Sequence, residues 1–340
     1  MLPHASAAVL TLLVLGIPGL LPVPEPDDLF GCEPNPTGNP IGGGEGYRAI
    51  LTSGDFTVTN KDELLSALKS AQPGQVVFLP DGVEIDLTGQ SNIVLPPAVT
   101  LAGTRGLDGS LGARLFTTLR QSHTLLSSGG DGIRLTGLRF EGAFGGTDKV
   151  ADHSSFCSIN HYGAEIDNCE VYNFNVSGIG VGPGALAVHI HHNHLHHIQR
   201  SGYGYPVSTS AAGLRVIANR CDHCRHAIAS SGTPGSGYEA AWNLIGPHET
   251  GHSFDMHGGS DRGDNTDIAG DWLHAHHNTF LGKVAAVGIR GVPSQGALVH
   301  NNWFVAATPD KAVFSSGNTR VFRNVYGEVK TLQEDEVRWE

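Results

Sequence analysis

The chain has 340 residues, of which 39% are hydrophobic and 16% charged, and 33 acidic residues outnumber 21 Lys and Arg residues for a formal net charge of −12. The hydrophobic content excludes an intrinsically disordered chain, and the low charge with 46 glycines excludes a coiled coil or other long-helix protein. A net acidic chain also lacks the cationic surface on which nucleic-acid binding depends, so we expect no nucleic-acid partner.

The first feature along the chain is an apolar run of 15 residues at positions 7–21. The run is shorter than the ~20 residues that a membrane-spanning helix needs, and it is typical of the apolar part of a secretory signal. A basic start is missing, because the first basic residue is Arg48. We expect a signal-like segment at 1–25, a linker at 26–55, no membrane span, and a location that is secreted, periplasmic or at the cell surface.

The next predicted element is a short amphipathic helix from Asp62 to Ala71. Leu64, Leu65 and Leu68 lie on one face of it, and the Pro-Gly pair at 73–74 ends it. A hydrophobic strand follows at 76–79. The helix therefore fits a cap on the domain that begins there.

An internal repeat of about 24 residues covers the rest of the chain. Six segments carry an Asn at the same place, with intervals of 26, 24, 35, 24 and 22 residues: Asn193, Asn219, Asn243, Asn278, Asn302 and Asn324. Residues five and three before each Asn are mostly small or apolar, and so is the residue two after it, which is the period-two alternation of strands. The Asn itself suits a tight turn with left-handed backbone, and stacked Asn amides can satisfy one another.

A strand signal with a period of 20–50 residues predicts a solenoid, and three short strands per turn predict a right-handed parallel β-helix. We therefore predict an all-β solenoid of about ten coils at 56–326, with the short helix as its N-terminal cap and an irregular polar tail at 327–340. The segment TVTNKDELLSALKSAQPGQVVFLPDG at 57–82, followed by the Asn-marked coils, resembles the opening of pectin-lyase-like β-helix proteins. These include the polysaccharide lyases that cut alginate and dermatan, so the resemblance implies the fold and a polysaccharide substrate.

The candidate site lies in the region of dense histidine, which holds 17 of the 19 histidines between His153 and His300. In the strand HSFDMHGG, Phe254 and Met256 alternate inward, so Asp255 and His257 point outward. Neighbouring coils add further outward residues to one predicted strip: Arg290 on the next coil, and Arg225, His226, Arg200, Tyr203 and Tyr205 on earlier coils. His189 and His191 are a second outward pair, interpreted as a solvated edge or as part of a sugar-binding strip.

This set of side chains suits removal of H5 from a uronic acid. The reaction needs a base, here His257 or a tyrosine, and a cation on the carboxylate, here Arg290 or a bound ion. It also needs an acid for the departing glycosidic oxygen, a role for Tyr205 or His226. The predicted catalytic residues are His257, Arg290, His226, Tyr205 and Asp255, and the predicted substrate-binding residues are Arg225, Arg200, Tyr203, His189 and His191.

A divalent cation, Ca²⁺ or Zn²⁺, is a possible cofactor, and His252 and Asp255 are its candidate ligands. Cys221 and Cys224, followed by His226, could form half of a zinc site, a disulfide or two buried thiols. No second Cys-x-x-Cys pair is present in the sequence.

Two family comparisons bear on the reaction. The strand at 253–257 resembles the Asp-Pro-His strand of mannuronan C5-epimerases, with Met256 in the place of the proline. Residues 278–291 resemble the Arg-His-Gly element of the alginate and dermatan lyases. The Lys base of those lyases is missing, because no Lys occurs between Lys149 and Lys283.

A glycoside hydrolase is another possibility, and it needs two carboxyl groups ~5–9.5 Å apart. The longest repeat interval supplies candidates, which could equally bind calcium or form an acidic surface loop: Asp261, Asp264, Asp267 and Asp271. We predict an exported, monomeric polysaccharide lyase acting on an acidic polysaccharide. The alternatives are a C5-epimerase, a glycoside hydrolase and a non-catalytic carbohydrate-binding β-helix.

Overall fold

The computed structural model describes residues 28–283 and 285–332 and the backbone of 337–339. The predicted signal-like segment at 1–25 lies outside the described residues. Three sheets form the faces of the solenoid, and the strands of successive coils stack within each sheet. The chain passes through sheet I, sheet II and sheet III in turn within each coil. Among the described residues, none of the helices is long and apolar enough to cross a bilayer.

Sheet I has 12 strands: β1 (Phe56–Thr57), β2 (Val76–Phe78), β5 (Thr100–Ala102), β8 (Arg134–Thr136), β11 (Glu165–Asp167), β14 (Leu186–His191), β17 (Gly213–Ile217), β20 (Gly237–Ala241), β23 (Trp272–His276), β26 (Gly296–His300), β29 (Thr319–Phe322) and β32 (Val337–Trp339). Sheet II has 11: β3 (Glu84–Asp86), β6 (Arg114–Phe116), β9 (Arg139–Glu141), β12 (Glu170–Tyr172), β15 (His194–Ile198), β18 (Arg220–Cys224), β21 (Leu244–Ile245), β24 (Thr279–Phe280), β27 (Trp303–Phe304), β30 (Val325–Tyr326) and β31 (Thr331–Leu332). Sheet III has nine: β4 (Ile93–Leu95), β7 (His123–Ser128), β10 (Ser154–Ile159), β13 (Ser177–Val181), β16 (Tyr205–Thr209), β19 (Ile228–Ser230), β22 (Phe254–Met256), β25 (Val287–Ile289) and β28 (Val313–Ser315).

Strand pairing is parallel throughout these stacks except at their C-terminal end. There β31 pairs antiparallel with β30, and β32 pairs antiparallel with β29. The predicted parallel β-helix is therefore confirmed. The prediction of an irregular tail was wrong, because the tail forms these two strands and continues sheets I and II.

Among the described residues the helices are few and short: α1 (Lys61–Ser70), α2 (Gly259–Arg262), α3 (Pro309–Ala312) and one 3₁₀ turn, η1 (Leu107–Gly109). α1 begins one residue before the predicted helix, because the side chain of Asn60 accepts a hydrogen bond from the backbone N–H of Glu63 and caps its N-terminus. Leu64 and Leu68 are buried in the main core, whereas Leu65 is only partly buried against it. The helix thus covers the first coil, as a solenoid end requires.

The Asn column forms the predicted hydrogen-bonded ladder between sheets I and II. The side-chain oxygen of Asn219 accepts from the backbone N and from Nδ2 of Asn193, at 2.9 and 3.0 Å. The same pair of bonds joins each later Asn to the next, as far as Asn324. All six Asn side chains are buried, so the ladder satisfies amides that would otherwise be orphaned in the core.

The left-handed backbone lies one residue before each ladder Asn, not at the Asn itself as the sequence analysis expected. The residues with positive φ are His192, Ala218, Trp242, His277, Asn301 and Arg323, with φ between 49° and 54°. This placement leaves the ladder Asn in a conformation that turns its amide into the core.

The segment at 28–50, expected as a linker, packs along this Asn corner. The backbone N of Gly31 donates to Asn301 O, and that of Gly42 donates to Ala218 O, at 3.0 and 2.9 Å. Further along, Tyr47 donates its hydroxyl to Asp167 at 2.9 Å. The segment therefore runs back across the coils and covers the ridge where the backbone turns.

Candidate active site

Asp255 lies on the outer face of sheet III, at the middle of β22. Phe254 and Met256, its neighbours along the strand, are fully buried, so its side chain projects outward as predicted. On the adjacent strands Asp255 is opposite Ala229 and Gly288. Because these two residues are small, larger side chains from the strand ends can close around the carboxylate.

Arg290, which follows β25, forms a bidentate ion pair with Asp255. Nε donates to Oδ1 at 3.0 Å and Nη2 donates to Oδ2 at 2.9 Å, while Nη1 donates to Asp261 at 2.8 Å. A guanidinium has five N–H donors, so these three bonds leave two N–H groups for another acceptor. The side chain is 29% exposed, which allows an anion to reach it from solvent.

His257 and His226 both contact the Asp255 carboxylate. Nε2 of His257 lies 3.1 Å from Oδ2, and Nε2 of His226 lies 3.5 Å from the same oxygen, although neither contact has the alignment of a full hydrogen bond. Burial alone would raise the pKa of Asp255, but His257, His226 and Arg290 hold it below its ordinary value. Asp255 is therefore a carboxylate at neutral pH, and it can orient the His257 ring as the Asp of an Asp-His pair does.

His226 is enclosed rather than available to a substrate. It is 2% exposed, and its Nδ1 contacts the backbone O of His252 at 2.6 Å. Burial lowers the pKa of His226 to about 4, so its ring is neutral at pH 7. Because a neutral imidazole has one N–H and Nδ1 donates it to that carbonyl, these observations do not favour the predicted role of acid for the leaving group.

A groove of about 440 Å³ runs over sheet III beside this cluster. His257, Tyr203 and Tyr205 line it, and its other lining residues are mostly small or hydroxylated: Ser158, Gly180, Val181, Gly182, Ser208, Thr209, Ser210, Ala229, Ser230 and Ser231. None of these lining residues is acidic. The groove has the hydroxyl groups and the aromatic faces with which proteins contact sugars, and it places His257 at its edge.

Tyr205 is the second titratable group on the groove. Its hydroxyl oxygen accepts from Nη1 of Arg225 at 3.1 Å and its proton is directed to Gly202 O at 3.2 Å. Burial raises the pKa of Tyr205, and the charge of Arg225 opposes that rise. Tyr205 is therefore a protonated donor whose oxygen touches a cation that would stabilise the phenolate.

The remaining predicted site residues divide between this face and other parts of the protein. Arg200 is 3% exposed, donates to the backbone O of Val150 and lies under the Tyr203 ring with its Cζ 4.9 Å from the ring centroid. The interpretation of Arg200 as a substrate ligand therefore does not fit its burial, and it supports Tyr203 instead. His189 and His191 lie on β14 of sheet I, a different sheet from the groove, so they do not share its lining.

The predicted metal ligands His252 and Asp255 are not among the three candidate ligand groups of the described residues, and both Asp255 oxygens accept hydrogen bonds from Arg290. The three groups are Glu170, His194 and His196; Asp222, His223 and His248; and Glu165, Asp167 and His191. Cys221 and Cys224 are free thiols buried in the core, which leaves the buried-thiol alternative of the three proposed for them.

The sequence analysis named Asp261 only as a candidate carboxyl of a hydrolase, a calcium site or a surface loop, and did not place it or Arg262 in contact with Arg290 or His257. Arg262, from α2, donates through Nη1 to Gly232 O at 2.5 Å and to His257 O at 3.2 Å. It thereby clamps the loop that carries His257. The available signal was the pair Gly258-Gly259, because a Cβ at Gly258 would lie 1.9 Å from Arg290 O and only glycine permits that approach.

Comparison with known proteins adds one structural likeness. No protein-family model and no curated protein sequence matches the chain. The fold is similar to that of an alginate lyase from Paenibacillus sp. str. FPU-7, known from its crystal structure, with a TM-score of 0.54 and 16% sequence identity. The match covers 80% of this chain and 97% of the other, and at this identity it establishes the fold alone.

Proposed function

We propose that the protein is a polysaccharide lyase that cleaves a uronic-acid-containing polymer by abstraction of H5 and β-elimination. The observation that carries the proposal is the Asp255–His257–Arg290 cluster at the edge of a groove lined by Tyr205. The fold shared with an enzyme named as an alginate lyase is consistent with it. A polymeric substrate also agrees with the predicted export of the protein.

His257 is the base in this proposal. Asp255 fixes the imidazole through one ring nitrogen, which leaves the other nitrogen as the acceptor for H5. As the C5–H bond breaks, its electron pair forms the C4–C5 double bond and the C4–O glycosidic bond breaks. The negative charge that develops on the uronate carboxylate needs a cation beside it.

Arg290 supplies that cation through its two remaining N–H groups. We assign this role to Arg290 rather than to a metal held by His252 and Asp255, because the guanidinium already pairs with Asp255 and its charge opposes a second cation there. Tyr205 donates its proton to the departing glycosidic oxygen, and Arg225 stabilises the phenolate through the contact at 3.1 Å. The Ser and Thr hydroxyls of the groove bind neighbouring sugars.

A C5-epimerase is the second candidate. It is favoured by the spacing of Asp255 in β22 and His257 directly after it, with one residue between them, and by the absence of Lys from the described lining of the groove. An epimerase uses the same abstraction of H5 but returns a proton to the opposite face of C5. A hydrolase is less well supported, because Asp255 is fully buried and the described residues that line the groove include no carboxylate.

The test is incubation of the purified protein with alginate, pectate, glucuronan and glycosaminoglycans. New ultraviolet absorbance from a 4,5-unsaturated uronate supports the lyase, and loss of that product in Arg290→Ala and Tyr205→Phe supports the assigned roles. A changed ratio of C5 epimers without cleavage identifies the epimerase. Reducing ends without absorbance, or binding without any product, would overturn the proposal in favour of a hydrolase or a carbohydrate-binding module.

A further inference from the structure

Sheet II carries a histidine-rich outer face that the proposed reaction does not use. In three successive coils of this sheet the backbone turns left-handed at the same register position: at Asn173, directly after β12, and at His197 and His223, within β15 and β18, with φ of 63°, 53° and 49°. The bend therefore recurs from coil to coil, but its effect on the side chains differs with the residues at each coil. Asp222 and His223 are consecutive in β18, yet the bend brings both side chains to the outer face, while Cys221 and Cys224 face the core.

Three potential ligand atoms converge at Asp222. Nδ1 of His223 lies 3.3 Å from Oδ2 of Asp222, and Nδ1 of His248 lies 3.1 Å from both carboxylate oxygens. In a tetrahedral site with metal–ligand bonds of about 2.1 Å, neighbouring ligand atoms are roughly 3.4 Å apart. The observed separations are close to that value. The rings of His223 and His248 are stacked with centroids 4.2 Å apart, so binding an ion requires the rings to rotate until both Nδ1 atoms point at it.

The surroundings of Asp222 are built to hold its carboxylate at this point. Its Oδ1 accepts from the backbone N of His223 at 2.8 Å and of His248 at 3.2 Å. Gly246 leaves the necessary room, because a Cβ there would lie 2.3 Å from the Asp222 Cγ.

The charged side chains nearby distinguish the group at Asp222 from the two other groups of potential metal ligands. Arg134 pairs with both Glu165 and Asp167 in one, and Arg105 contributes its charge to Glu170 in the other. The described side-chain partners of Asp222 are His223 and His248, and no arginine is among them. A carboxylate with two imidazoles favours a cation, whereas an arginine in the cluster opposes one.

We propose that Asp222, His223 and His248 form a binding site for a divalent transition-metal ion, with zinc as the ion that fits a two-imidazole, one-carboxylate set. The side chains of His223 and His248 are 35% and 56% exposed, so the ion keeps an open position for water. The site joins β18 to the loop at 246–253, whose His252 carbonyl contacts His226. A bound metal ion therefore links β18 to this loop and fixes the segment that leads into β22.

The experiment is a calorimetric titration of the full chain with Zn²⁺ in the absence of polysaccharide. We expect one tight site per chain, and a rise in the midpoint of thermal unfolding when that site is filled. His248→Gln should weaken zinc binding by at least about 100-fold, because loss of an outer-shell partner alone costs 10–100-fold. His194→Gln, in the neighbouring ligand group, is the matched control and should leave the tight site unchanged.

Equal zinc affinity in the wild type and in His248→Gln would overturn the proposal, and so would loss of the tight site in His194→Gln. His248 is largely exposed, so its replacement should not disturb folding, and far-ultraviolet circular dichroism checks this point. Asp222→Asn keeps the shape of the side chain and should also lose the site. None of these readouts depends on catalysis, so they remain informative if the proposed function fails.

Discussion

Replacement of Asn219 by alanine tests the ladder that organises the solenoid. The Asn219 side-chain oxygen is the acceptor for the backbone N–H and for Nδ2 of Asn193, and its own Nδ2 donates to Ile190 O at 2.9 Å. Alanine leaves two buried donors of Asn193 without that acceptor. At ~1–3 kcal/mol for each orphaned buried group, the expected loss in the free energy of unfolding is roughly 2–6 kcal/mol.

The assay is equilibrium unfolding in urea, followed by circular dichroism. Asn160→Ala is the matched control, because Asn160 is exposed and its amide only donates to the Ser158 hydroxyl, so the expected change is within about 0.5 kcal/mol. A loss below about 1 kcal/mol for Asn219→Ala, or equal losses in the two variants, would refute the claim that the ladder stabilises the stacked coils.

Three further predictions concern the acid limit, the loop of His257 and the thiols. The pKa of His226 is lowered from 6.5 to about 4 in the folded protein, so the unfolded chain binds a proton more readily and stability falls by up to about 3 kcal/mol as pH drops from about 6.5 to about 4. His226→Gln should flatten this part of a profile of urea midpoint against pH. An unchanged slope in the variant would contradict the prediction. Gly232→Ala should lower both stability and turnover, because φ at Gly232 is +61° and the added Cβ would lie 1.7 Å from His257 O. Gly213→Ala is the control: Gly213 has open space around it, so the variant should behave as the wild type in the same assays. The five buried cysteines should resist a thiol reagent until the protein unfolds, and rapid labelling of the native protein would show that the core opens more readily than its packing implies.

The periodic features of this molecule could be predicted from the sequence because they repeat. Alternation placed Phe254 and Met256 inward and Asp255 and His257 outward, and the Asn intervals predicted a ladder that the structure contains. Groups that depend on contacts between coils could not be predicted in the same way. The engagement of Arg290 with both Asp255 and Asp261 depends on how the longest repeat interval folds back, and no local pattern encodes that path.

The alternation of inward and outward residues along a strand also does not show which outward side chains are covered by other parts of the chain. Arg200 and His226 belong to the predicted strip, but neighbouring loops enclose both, so their burial became visible only in three dimensions. The sequence assigned the turn to the ladder Asn, whereas the left-handed residue is the one before it. The segment at 28–50 has no periodicity of its own, and its docking depends on the ridge that the coils create.

The most direct test of the central claim is turnover of a uronate polymer by His257→Gln, followed by the absorbance of the unsaturated product. If His257 is the base that removes H5, turnover should fall by about 10²–10⁴-fold while polymer binding and the unfolding midpoint stay near those of the wild type. His161→Gln is the control, because His161 does not line the groove. Turnover of His257→Gln within tenfold of the wild type would contradict the account.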